Sequence, residues 1–107
     1  MSEATVDIYI KDVRERAVFA ADGPKPQFLV DLPNLKVLVA GLEAGQQIPV
    51  HPEQAALYHF LEGDGLMTVG EETYSVGPGV TVLVPEGAPR GMTARTRLIF
   101  LGSKGCA

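Results

Sequence analysis

The chain has one cysteine, Cys106, and two histidines, His51 and His59, among 107 residues. A single cysteine excludes an internal disulfide and fits a reducing compartment, so a cytoplasmic protein is expected. The histidines and the cysteine offer no nucleophile and base at a suggestive spacing. Positive charge is also short: Lys and Arg number 9 against 13 Asp and Glu, a formal net charge of -4. Phosphate binding along a duplex needs a basic stripe, and none is visible, so nucleic acid is not an expected partner. The polar, acidic run from Met1 to Asp7 has no positively charged lead into an apolar stretch. No secretion signal or membrane anchor is expected from it. Amphipathic helices of useful length are missing as well. Gly63 to Gly65 and Gly77 to Gly79 therefore read as turns rather than phosphate loops, because no helix follows to offer its N-terminus to an anion.

What remains is a single globular domain, 1–107, with 46% hydrophobic and 21% charged residues, neither disordered nor membrane-spanning. Short β-rich runs recur between turns: Val6 to Ile10, Gln27 to Leu32, Leu35 to Glu43, Ala55 to Leu61, Leu66 to Val69, Thr73 to Val76, Val80 to Val84 and Thr96 to Leu101. Val13 to Ala20 reads as either a helical turn or a strand. Pro24 and Pro26 break the chain, leaving 1–26 as an N-terminal strand or arm region and 27–102 as the barrel core. In Leu35 to Leu42 both alternating faces are largely apolar, which suits a strand covered on both sides. Many short strands with Gly and Pro punctuation predict an all-β sandwich or barrel.

Two stretches sharpen this. One runs from Gly45 to His51, with five residues between them; the other runs from Gly79 through Pro85 and Gly87 to Arg90. Together they resemble the two signature motifs of the cupin superfamily, in the right order and about the right distance apart. Phe60 to Gly65 and Gly70 to Tyr74 resemble that family's central hairpins. The resemblance implies a small, single-domain, RmlC-like jelly-roll β-barrel (a double-stranded β-helix), with Pro85 and Gly87 shaping a loop at the barrel mouth.

Cupins of this kind hold a metal with three histidines and a glutamate, and here the ligand motif is degenerate. His51 matches the first ligand, and the second histidine's place falls on Glu53. The glutamate's place falls on Tyr58 if Gly65 ends the motif, or on Ala56 if Gly63 does. The last ligand maps onto Arg90, and the asparagine after it onto Ala94. A guanidinium stays protonated and has no lone pair for a metal. No metal cofactor is predicted on that ground; a divalent transition metal held by His51 and Glu53 is the alternative. His59 faces outward if Ala56, Tyr58 and Phe60 face inward.

Arg90 beside His51 instead suggests a site for a carboxylate or phosphate, unless Arg90 forms a structural salt bridge with Glu53. The expected pocket comprises His51, Glu53, Tyr58, Phe60 and Arg90, with Met67 and Met92 as further apolar wall candidates. Arg95 and Arg97 read as a solvated strand end. Three functions remain open: a metal-free binder of a small anionic ligand, a cupin enzyme of the dioxygenase or isomerase type with an unusual ligand set including His51, and an interaction module. The apolar outer face of Leu35 to Leu42 and the resemblance both suggest a homodimer.

Overall fold

In the computed structural model, which describes residues 7–105, the runs between the Gly and Pro turns are extended. Nine strands follow in order: Gln27–Leu32 (β1), Leu35–Leu42 (β2), Gln47–Pro52 (β3), Ala56–Glu62 (β4), Gly65–Val69 (β5), Glu72–Val76 (β6), Thr81–Val84 (β7), Pro89–Ala94 (β8) and Leu98–Lys104 (β9). All pair antiparallel, in a five-stranded sheet ordered β1-β2-β9-β4-β7 and a four-stranded sheet ordered β3-β8-β5-β6. The chain changes sheet at most connections, which winds it around a common interior as a jelly roll.

Strand alternation fills that interior. Leu38, Ala40 and Leu42 point inward from β2, Tyr58 and Phe60 from β4, Leu98 and Phe100 from β9, and Met67, Met92 and Ala94 from the opposite sheet. Phe60 is fully buried with its ring centroid 5.9 Å from that of Phe100. Burying a side chain of this size contributes about 2 kcal/mol. No helix among the described residues is long and apolar enough to cross a membrane.

The N-terminal region departs from the strand expected over Val6 to Ile10. Val6 lies outside the described residues, and Asp7 to Ile10 forms no strand. Ile8 and Tyr9 are exposed, and no strand among the described residues pairs with them to satisfy their backbone. The ambiguous segment after it divides in two. Val13–Arg16 is a 3₁₀ turn capped by Asp12, whose side chain accepts from the Arg14 amide, and Val18 then bridges Lys25.

This arm lies on the outer face of β2. A Cβ at Gly41 would sit 2.9 Å from the Val18 carbonyl oxygen and 3.0 Å from the Phe19 ring. Gln46 Nε2 donates to the Ala20 carbonyl at 2.7 Å, and the Arg97 guanidinium stands 4.0 Å over the Phe19 ring. The chain thus covers the β2 outer face itself at Gly41. A second copy is not needed to account for the two-faced apolar pattern of that strand.

β3 and β8 were not apparent as strands in the sequence. Pro49 and Pro52 argue against a strand, but β3 is an edge strand, where a missing amide is tolerated. β9 starts at Leu98 rather than Thr96, because the Arg95 and Thr96 amides both donate to the Asp64 carbonyl in a turn. It then continues to Lys104.

Candidate functional site

A cavity of about 310 Å³ opens between the two sheets, walled mainly by Leu38, Ala40, Ile48, Met92 and Phe100 and carrying His51, Glu53, Tyr58, Arg90 and Lys104 as its polar groups. Its geometry begins with a bulge in β3. Ile48 pairs with Met92 and His51 with Arg90, so β3 has one more residue than β8 over this interval. The extra residue crowds Gly91, where a Cβ would lie 2.7 Å from the Ile48 carbonyl oxygen and 2.8 Å from the Val50 nitrogen. Bulges re-aim side chains beside sites, and His51 and Arg90 stand as direct cross-strand partners on the cavity wall.

Arg90 is 1% exposed, the one charged side chain buried in the core among the described residues. Its Nε donates to the Ala88 carbonyl at 2.9 Å, and Nη2 donates to the Glu53 carbonyl at 3.0 Å and the Pro85 carbonyl at 3.4 Å. Nη1 donates to the Tyr58 hydroxyl at 3.3 Å. The loop after β7 is built to present these acceptors. Gly87 turns it with φ of 80°, a conformation glycine adopts without strain, and its amide donates to the same Glu53 carbonyl at 2.8 Å.

The salt bridge weighed for Arg90 and Glu53 does not form. Glu53 meets Arg90 through its backbone, while its carboxylate accepts from Lys104 Nζ at 2.7 Å and lies 3.3 Å from His51 Nε2. Burial alone would raise the Glu53 pKa; the hydrogen bond and charge of Lys104, with His51 adding to them, leave it below the ordinary value. His51 Nδ1 faces the Pro49 carbonyl oxygen at 2.8 Å. Among the described residues Arg90 has no carboxylate partner: its positive charge is held by neutral dipoles alone.

The structure thus brings His51, Glu53, Tyr58 and Arg90 around one cavity. Phe60 is not among its lining residues. It points inward from β4 as expected, but two residues further along the strand than Tyr58, where it packs against its cross-strand partner Phe100 in the core. Met67 is likewise packed in the core, whereas Met92 does form part of the wall. His59 lies on the opposite face of β4 from Tyr58 and Phe60, with Nδ1 2.7 Å from the Thr81 hydroxyl. Arg95 and Arg97 are exposed, and neither lines the cavity. Cys106 lies outside the described residues.

Lys104 was missed. Had β9 been carried past Leu101, alternation from Leu98 through Phe100 and Gly102 would have put Lys104 on the inner face.

The donor set does not fit the metal that this fold's motif implies. His51 and Glu53 are adjacent, but the next position around the cavity is a buried guanidinium with no lone pair. No group of three or more His, Cys, Asp or Glu side chains converges among the described residues.

Residues 38–101 match the family model of the cupin domain. A conserved Streptococcus pyogenes protein of unknown function superposes with a TM-score of 0.86 at 25% identity, over 100% of this chain and 96% of that one. An RmlC-like cupin from Shewanella frigidimarina superposes with a TM-score of 0.75 at 21% identity, over 79% and 78% of the two chains. A variant of the salicylate 1,2-dioxygenase of Pseudoaminobacter salicylatoxidans gives 0.73 at 19% identity, over 87% of this chain and 30% of that one. No curated protein is similar enough in sequence to match.

Proposed function

This chain belongs to the cupin family, and from that premise we propose that it binds a small anionic molecule in the barrel cavity through Arg90, without a conventional metal centre. The observation that carries the proposal is the buried guanidinium on the cavity wall with no counter-anion among the described residues. Burying a charge is costly unless it is paired, and a ligand carboxylate or phosphate would supply the missing partner. Lys104 at the same cavity adds a second cation, and the apolar walls keep the local dielectric low, which strengthens a charge-assisted bond.

The enzyme alternative, a dioxygenase or isomerase using His51 with a metal, has less support. The likeness to salicylate 1,2-dioxygenase is one of fold, and fold does not carry chemistry. A cytoplasmic location belongs to the proposal through the lone Cys106. Assembly as a homodimer belongs to it through the outer face of β7, where Leu83 is 69% exposed.

The test is calorimetric titration of carboxylate and phosphate anions into wild type and Arg90→Met at a temperature where both are folded. Binding to wild type with a loss of tenfold or more in the variant is the expected result. Equal binding to both proteins would remove Arg90 from the site and the proposal with it.

A further inference from the structure

Resting on that anion-site reading, the geometry points to a narrower ligand class: a compact monocarboxylic acid with an apolar body, rather than a phosphate. Charge is the first argument. Arg90 and Lys104 face the cavity with two positive charges, and the ionised Glu53 cancels one of them. The single charge left over matches a monocarboxylate. A phosphate ester carries about -1.5 to -2 at neutral pH and would leave negative charge uncompensated in a low-dielectric site.

The available donors give the second argument. A guanidinium has five N–H donors. Four hydrogen bonds to protein acceptors leave one N–H, on Nη1, without a partner among the described residues. The Tyr58 hydroxyl accepts from that same nitrogen at 3.3 Å, so its own proton is free to donate. Two neighbouring donors suit the two oxygens of one carboxylate, with Lys104 at the mouth to assist. A tetrahedral phosphate would turn further oxygens toward Leu38, Ile48, Met92 and Phe100, where nothing donates to them.

The walls give the third argument. Those four side chains surround a space of about 310 Å³. That is near the lower end for small-molecule pockets, and an apolar lining rewards an apolar ligand body.

The experiment is a calorimetric series on wild type: acetate, butanoate, hexanoate and benzoate, with hexanamide, inorganic phosphate and phenyl phosphate for comparison. Affinity is expected to rise about fourfold per added methylene from acetate to hexanoate, as each CH₂ leaves water. Hexanamide and both phosphates are expected to bind at least tenfold more weakly than hexanoate. Tyr58→Phe, which removes only the hydroxyl, is expected to weaken hexanoate by about fivefold while leaving the chain-length trend intact. Phenyl phosphate binding through Arg90 as tightly as benzoate would overturn the monocarboxylate assignment and leave the anion site standing. A flat chain-length series would do the same. Hexanamide binding as tightly as hexanoate, or no anion binding at all, would overturn the anion site itself.

Discussion

Glu53 and Lys104 are 51 positions apart in sequence, yet the Glu53 carboxylate accepts from Lys104 Nζ at 2.7 Å at the cavity mouth. The pair closes β9 onto the loop after β3, and it holds the Glu53 carboxyl below its ordinary pKa against the opposing effect of burial.

A carboxyl whose pKa is lower folded than unfolded stabilises the fold above the unfolded value. That contribution is lost as pH falls through the folded value. Glu53→Gln is therefore expected to be less stable than wild type by about 1 kcal/mol at pH 7. The gap should close as pH drops below 4.5, the ordinary value for a glutamate carboxyl. Urea unfolding midpoints of both proteins between pH 7 and pH 3 check this. A gap that stays constant down to pH 3 would show that the Lys104 partnership does not stabilise the fold.

Much of this was legible in the residues, and the rest was hidden for identifiable reasons. Gly and Pro mark the turns, so most strands fall in the β-rich runs between them, and the motif spacing alone singles out His51 and Arg90, which pair across the β3–β8 ladder. Propensity hid β3, because the prolines that argue against a strand are admissible on a sheet edge. It also hid β8, where Pro89 and Gly91 look like loop but Gly91 answers a bulge in the partner strand. Lys104 was hidden by long-range pairing. Nothing local to the end of β9 reveals that its inner face meets the loop holding Glu53. Phe60 shows the limit of alternation, which gives the face of a strand but not the depth along the barrel.

The bulge gives a second prediction. A methyl group at Gly91 would meet backbone atoms of β3 at 2.7 to 2.9 Å, and backbone cannot swing aside as a side-chain end can. Gly91→Ala is expected to cost about 2–3 kcal/mol and to weaken anion binding by displacing His51 and the β3 edge. Gly102→Ala is the control. Its Cβ would meet only the side chains of Phe100 and Leu38, at 3.4 Å or more, so its cost should stay under about 1 kcal/mol. Thermal unfolding of the two variants separates these cases, and equal losses would mean that the bulge does not depend on a glycine opposite it.

The third prediction concerns the metal that the family motif implies. In wild type the fourth ligand position is a guanidinium held by four hydrogen bonds. Its fixed charge opposes a cation as surely as its lack of a lone pair fails to bind one. Wild type purified without added metal or chelator is therefore expected to carry well under one transition-metal ion per chain. Arg90→His removes that charge and sets an imidazole directly across the ladder from His51, with Glu53 beside both. The variant should be less stable by about 2 kcal/mol, since the Ala88 carbonyl loses its side-chain donor and the Glu53 and Pro85 carbonyls each lose one of two donors. It should nevertheless gain weak affinity for Ni²⁺ or Zn²⁺, seen as a metal-dependent rise in melting temperature that wild type lacks. The affinity stays weak because no outer partner orients the new ring and because Lys104 still competes for the Glu53 carboxylate. Elemental analysis of wild type together with thermal shifts of both proteins decides the matter. About one bound metal ion per wild-type chain would replace the anion site with a metal centre built around His51 and Glu53.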